Sequence, residues 1–326
     1  MKPKVFVTRK IPENVLNKMK SVCEVQIWEK EDIPVPRDVL EQQINKVEGI
    51  FCLLTDKIDE DLLQRAEKLK VISNMAVGYN NIDVAAATRR GIMVTNTPGV
   101  LTETTADLTF ALLMATARRL VEASDYLKQG KWRTWSPMLL TGQDIFGATI
   151  GIIGMGRIGE AVAKRARGFS MKVLYYNRSR KPNVEEKLGA TYVDLQSLLK
   201  ESDYVCLLTP YTPETHHMIG KEELSLMKKT AILINTSRGG VVDEKALYEA
   251  LKNGTIWAAG LDVFEQEPIP VDHPLLSLPN VVALPHIGSA SLKTRMKMAE
   301  LTAENMLQAL AGKVPKYLVN TELIRA

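Results

Sequence analysis

Histidine is scarce in this 326-residue chain, with four copies, and cysteine scarcer still, with three: Cys23, Cys52 and Cys206. An odd number of widely separated cysteines excludes a disulfide framework, and none has metal-ligand spacing. Cys52 and Cys206 sit inside apolar strand-like runs, "GIFCLLT" and "YVCLLTP", and read as buried thiols of a reducing compartment. Long apolar runs are missing too. The opening "MKPKVFVTRKIPE" has only a three-residue apolar run, too short for a signal peptide, and no later run approaches a membrane span. The default expectation is a cytoplasmic protein without membrane contact. A strong charge of one sign is also absent: Lys+Arg outnumber Asp+Glu by only 42 to 38, spread along the chain, which argues against nucleic acid as a partner.

What is present is ample apolar content, 45% of residues, and enough length for two domains. Short apolar runs ("KVFVT", "CEVQIWE", "GIFCLLT", "VISNMA", "IMVTN") alternate with helical patterns such as "PRDVLEQQINKVE" and "DEDLLQRAEKL". This predicts a parallel α/β layer. The rhythm then breaks at "TETTADLTFALLMATARRLVEASDYLKQGKW", which reads as one long helix or two in sequence. Alternation resumes through "TIGIIG", "KVLYYN", "YVCLLT", "AILINTS", "WAAGLDVF" and "VVALP", and a last long helix follows, "SLKTRMKMAELTAENMLQALAG". The expected fold is α/β: two Rossmann-like or flavodoxin-like domains with parallel sheets, one inserted into the other. Residues 101–288 would bind a dinucleotide. Residues 1–100 and 289–326 would bind substrate, with a ligand cleft at the hinge.

The inserted unit opens on Gly154-x-Gly156-x-x-Gly159, directly after an apolar strand and directly before a helix. Gly154 permits a tight turn, Gly156 lets the backbone approach a pyrophosphate, and Gly159 allows close helix–strand packing; Arg157 and Ile158 begin the helix whose free N–H groups would face the phosphates. The next strand ends in "VLYYNRSRK". An acidic residue there would bind the ribose hydroxyls of NAD and repel a 2′-phosphate. Asn177 removes that charge, Arg178 and Arg180 could present forked donors to a phosphate, and Ser179 a hydroxyl. The expected cofactor is NADP(H), with NAD(H) still possible.

Three later segments end strands: "NTSRGGVVDEKAL", "AAGLDVFEQEP" and "ALPHIGSAS". They bring Arg238, Asp262, Glu267 and His286 to the edge where open α/β sheets collect ligands. Here the chain resembles the D-isomer-specific 2-hydroxyacid dehydrogenases, through "GIIGMGRIG", "MKKTAILINTSRGGVVDEKAL" and "GLDVFEQEP…LPNVVALPHIGSAS". "PHIGSAS" and "WRTWSP" are similar to the glyoxylate/hydroxypyruvate reductase branch, some of whose enzymes also reduce 2-ketogluconate.

The resemblance implies a small 2-keto acid as substrate. Arg238 would hold its carboxylate or keto oxygen, and His286 would be the general acid, kept charged by Glu267. Relatives specialised for formate carry Gln where this chain has Glu267. Val77 and Gly78 would offer amides to the substrate carboxylate, with Ser289 nearby. Asp262 would bind the nicotinamide carboxamide, and Thr209, Pro210, Thr236 and Gly288 would line the cofactor. The resemblance also implies a homodimer in which Trp135 of a partner reaches the site, simple interface packing of Trp132 and Trp135 being the alternative. Two rival functions share the pattern: a D-3-phosphoglycerate-type dehydrogenase, and a dinucleotide-sensing corepressor. The paired acids Glu185–Glu186 and Glu222–Glu223 read as solvated helix faces, and the thirteen methionines as core filler.

Overall fold

The computed structural model describes residues 1–324. The chain divides into two units, Met1–Leu101 together with the segment from Ser291 onward, and Thr102–Ala290. Both are built on all-parallel sheets, the fold class expected from alternating apolar and amphipathic runs.

In the first unit, β1 (Lys4–Val7), β2 (Glu24–Ile27), β3 (Gly49–Cys52), β4 (Val71–Asn74) and β5 (Met93–Thr95) lie in the order β2-β1-β3-β4-β5. Strands β3 and β4 are buried at every position, as a parallel sheet covered on both faces requires. Successive side chains point to opposite faces. Ile50 and Ile72 therefore join one core cluster with Leu62 and Leu63. Phe51 and Val71 join the other, with Ala299, Ala303 and Met306 of the helix Leu292–Leu310. Ser291 caps that helix by accepting from the Thr294 amide at 3.3 Å.

The second unit holds β6 (Thr149–Ile153), β7 (Lys172–Tyr176), β8 (Thr191–Tyr192), β9 (Tyr204–Leu207), β10 (Ile232–Asn235), β11 (Ala258–Leu261) and β12 (Val281–Ala283). Their order, β12-β11-β10-β9-β6-β7-β8, is the doubly wound arrangement with one added edge strand. It reverses between β6 and β9, so the loops leaving these two strands diverge and open a crevice. The two-residue β8 was not legible in the sequence; it pairs only through Leu174–Thr191 and Tyr175–Tyr192.

The long helical stretch is two helices, Thr102–Ala117 and Leu120–Lys128. Between them Arg119 takes a left-handed backbone (φ 51°), and the Gln143 amide donates to the Ala117 carbonyl at 2.9 Å. The first helix contains five threonines, each costing roughly half a kcal/mol of helix propensity relative to Ala. Burial of Phe110, Leu112 and Leu113, at about 1.5–3 kcal/mol each, outweighs that. Packing holds this helix in place.

Candidate active site

The glycine loop is shaped by close approach. Gly154 has φ 101°, and a Cβ there would lie 2.7 Å from the Leu208 backbone at the end of β9. A Cβ on Gly159 would lie 2.3 Å from the Gly154 carbonyl oxygen. At Gly156, the N-cap of the helix Arg157–Gly168, a Cβ would meet nothing within 4 Å. The backbone is therefore packed tightly on its protein side and open on the side where Arg157 and Ile158 start the helix. Free amides and a positive dipole end converge there, and these residues fit a dinucleotide pyrophosphate. Thr209 and Pro210 leave β9 beside this loop, and the Pro210 carbonyl accepts from Thr215 Oγ1 at 2.8 Å. Thr236 is buried, its hydroxyl paired with that of Thr109 at 2.7 Å.

At the ribose end, Asn177 donates through Nδ2 to the Ser179 carbonyl at 2.9 Å and folds the loop back on itself. No carboxylate stands at position 177, so nothing in that place repels a 2′-phosphate. Arg178 is exposed, and its charge reaches Glu214 in the loop after β9. Among the described residues no ion pair is found for Arg178. Arg180 differs from expectation. Its Nε and Nη2 fork is bound to the Glu185 carboxylate, with contacts of 2.9, 3.1 and 2.7 Å, so the donors expected to face a phosphate already hold an anion. Glu185 also accepts from the Tyr175 hydroxyl at 2.7 Å, and that hydroxyl accepts from the Lys181 amide at 2.7 Å. Arg180, then Tyr175, hold the Glu185 carboxyl down at about 2. Ser179 is exposed.

The three strand-end segments do meet. His286 Nδ1 lies 2.6 Å from Glu267 Oε2, and Glu267 Oε1 accepts from the Phe264 amide at 3.0 Å. A carboxylate on Nδ1 demands a proton there, leaving Nε2 as the nitrogen that gains or loses one. Burial pushes the Glu267 carboxyl up; the bond to His286, its charge, the Phe264 amide and the charge of Arg238 outweigh this and hold it below the ordinary value.

His286 itself sits at φ 54°, a left-handed backbone costly for a non-glycine residue. Asp262, 1% exposed, holds it there: Oδ1 accepts from the Ile287 amide at 2.7 Å and Oδ2 from the Gly288 amide at 2.8 Å. Burial pushes the Asp262 carboxyl up, opposed by these two amides and by His286. Both Asp262 oxygens, and the Gly288 amide, are thus already engaged in fixing the histidine loop.

Arg238 is carried on a turn made by Asn235, which accepts from the Ser237 amide (3.0 Å) and hydroxyl (2.9 Å) and donates to the Arg238 carbonyl (2.9 Å). The next residue, Gly239, packs so closely on the Glu267 loop that a Cβ would lie 1.8 Å from the Phe264 carbonyl carbon. Reciprocal bonds between Glu244 and Glu265, amide to carboxylate at 3.2 and 2.8 Å, tie the same two segments together. Arg238 is half-buried; desolvation pushes the guanidinium below its ordinary value, opposed by the charge of Glu267. The arrangement offers a cation within electrostatic reach of Glu267, the carboxylate that holds an imidazole whose far nitrogen is left to deliver a proton.

Other candidate residues are placed as follows. Val77 and Gly78 follow β4 in the first unit, their carbonyls held by Asn96 (2.8 Å) and Asn74 (3.0 Å). Ser289 is half-buried directly after Gly288. Trp132 and Trp135 are 56% and 77% exposed in the single chain. The three cysteines are buried free thiols. Among the described residues no cluster could hold a metal ion, and no helix is long and apolar enough to cross a membrane. Asn235, Glu185 and Tyr175 were missed in the sequence. Only Asn235 left a signal, a polar residue ending an otherwise apolar buried strand.

Residues 110–288 match the family described as D-isomer specific 2-hydroxyacid dehydrogenase, NAD binding domain. A glyoxylate reductase from Korarchaeum cryptofilum is 56% identical over 326 residues, covering 100% of this chain and 98% of that protein. The crystal structure of the TT0316 protein from Thermus thermophilus is similar with TM-score 0.91 and 47% identity, covering 97% of this chain and 99% of that one. An NADPH-dependent glyoxylate/hydroxypyruvate reductase from Sinorhizobium meliloti, in complex with NADP and malonate, is similar with TM-score 0.85 and 36% identity, covering 98% and 97%.

Proposed function

The chain belongs to the D-isomer specific 2-hydroxyacid dehydrogenase family, and from that premise we propose that it reduces glyoxylate and hydroxypyruvate to their 2-hydroxy acids, with NADPH preferred over NADH. The observation that carries the reading is the His286–Glu267 contact of 2.6 Å on a loop clamped by Asp262, with Arg238 on the adjoining turn. A bound nicotinamide would supply the hydride. Arg238 pairs with the substrate carboxylate or the keto oxygen and stabilises negative charge as it develops. His286 gives its Nε2 proton to the carbonyl oxygen, which becomes the hydroxyl, and is left neutral with Nδ1–H on Glu267. Water then returns the proton. Val77 and Gly78 would present amides to the carboxylate.

The cofactor preference is supported by Asn177 and by an exposed Arg178. Exposed Trp132, Trp135 and Phe146 support a second copy covering these side chains, which light scattering would report as a doubled molar mass. The reading is tested by kcat/KM for glyoxylate, hydroxypyruvate, 2-ketogluconate and 3-phosphohydroxypyruvate, each with NADPH and NADH. The highest values are expected for glyoxylate or hydroxypyruvate with NADPH. A dominant 3-phosphohydroxypyruvate activity would replace the substrate assignment. An Arg238→Ala variant as active as wild type on every keto acid would remove the catalytic one.

A further inference from the structure

Five charged groups surround the loop after β7, and their pairing is uneven. Arg180 is bound on two donors by Glu185, and Lys181 Nζ stands 3.8 Å from Glu160. Arg178 has no ion pair among the described residues. Arg180 and Lys181 line a groove of about 700 Å³ with Arg157, Lys164 and Lys187 and the acids Glu103 and Glu160, against the glycine-loop helix. Arg157 also begins that helix, so the groove adjoins the pyrophosphate loop. A dinucleotide phosphate on the ribose 2′-oxygen would arrive where one arginine is available and the other is held.

We propose that Glu185 sets how strongly this chain discriminates NADP from NAD, by holding the Nε–Nη2 fork of Arg180 away from the 2′-phosphate. The inference rests on the NADPH reading above. A guanidinium makes its strongest anion contact through a fork of two parallel N–H groups, and the carboxylate already occupies that fork. Tyr175 keeps Glu185 aligned from below, since its hydroxyl bridges Glu185 and the Lys181 amide. The held carboxyl is charged at every working pH, so the hold does not relax near neutrality. Arg180 is exposed and Glu185 largely covered (side chains 65% and 16% exposed), and glutamine keeps a hydrogen-bonding group in that place, so loss of the pair is read in binding without unfolding the loop. Glu185 thus makes discrimination moderate and keeps NAD usable.

The test is calorimetric binding of NADP⁺ and NAD⁺ to the full chain, reading the ratio Kd(NAD⁺)/Kd(NADP⁺). Glu185→Gln, which keeps a hydrogen-bonding partner for Tyr175, is expected to raise the ratio about 3- to 10-fold. The gain should shrink as salt rises. Glu185→Asp, which retains the charge, should stay nearer to wild type. In an Arg180→Ala background the Glu185→Gln gain should vanish, because the effect runs through the arginine. An unchanged or lowered ratio in Glu185→Gln, or a gain that survives in the Arg180→Ala background, overturns the proposal. The wild-type ratio separates the two readings: a wild-type Kd(NAD⁺)/Kd(NADP⁺) at or below one fails the NADPH reading itself, whatever Glu185→Gln does.

Discussion

The two ends of the dinucleotide-binding unit use charge in different ways. At the hydride end, Asp262 is buried, Arg238 half-buried and the Glu267 side chain 25% exposed, and each charged group is fixed by backbone bonds: Phe264 on Glu267, Ile287 and Gly288 on Asp262, the Asn235 turn under Arg238. At the ribose end, Arg178, Ser179 and Arg180 are exposed, and the main pairing is side chain to side chain. Low dielectric and fixed geometry make the first set strong and intolerant of change. Solvent and salt make the second weak and adjustable. On the proposed function, chemistry is thereby locked into the fold, and cofactor choice is left to surface residues that can vary without disturbing it.

The sharpest way to break this contrast is at His286. His286→Asn removes the proton donor and should lower kcat for glyoxylate about 10²- to 10⁴-fold with either cofactor. Glu267→Gln should cost less, roughly 10- to 100-fold in kcat, and should move the pH dependence. Glu267 is held below its ordinary value, so its charge is present above the ordinary carboxylate range and lost as pH falls through the lowered value. Through the neutral range, wild type therefore keeps an anion on Nδ1; the glutamine does not. The fall in kcat/KM at low pH that accompanies protonation of Glu267 should be missing in the variant.

Arg178→Ala should lower the NADPH/NADH ratio of kcat/KM about 10- to 100-fold, the worth of one charge-assisted contact, while NADH turnover changes much less. The last prediction concerns stability. Asp262→Ala leaves the Ile287 and Gly288 amides without their acceptor beside a left-handed His286. It should destabilise folding by about 2–4 kcal/mol, read as a lowered urea midpoint, and lower kcat as well. A variant with lowered stability and wild-type kcat would show that the loop finds its geometry without the carboxylate.

Legibility in the sequence follows the same divide. Parallel sheets were readable because buried strands make short apolar runs and covering helices make amphipathic ones. Arg238, Glu267 and His286 could be nominated because each follows such a run, and strand ends are where open sheets collect ligands. The pairing of Glu267 with His286 was implied by the resemblance alone; the order of residues does not show it, since it depends on the left-handed backbone at His286 and on which amides Asp262 accepts. The Arg180–Glu185 pair was also hidden. Glu185 reads as one of two acids on a solvated helix, and nothing in the order of residues says that Tyr175, ten positions earlier, aligns it. The place of the helix break, at Arg119, was hidden for a related reason: it is set by Gln143 reaching back to Ala117, a long-range bond with no local signature.

The most direct test of the account is a two-by-two measurement: kcat/KM for glyoxylate with NADPH and with NADH, in His286→Asn and in Arg178→Ala. The account predicts that the histidine variant falls by a similar large factor with both cofactors, and that the arginine variant falls with NADPH alone. A histidine variant that keeps wild-type kcat/KM, or an arginine variant that loses both cofactors equally, would contradict the division of labour between the two ends.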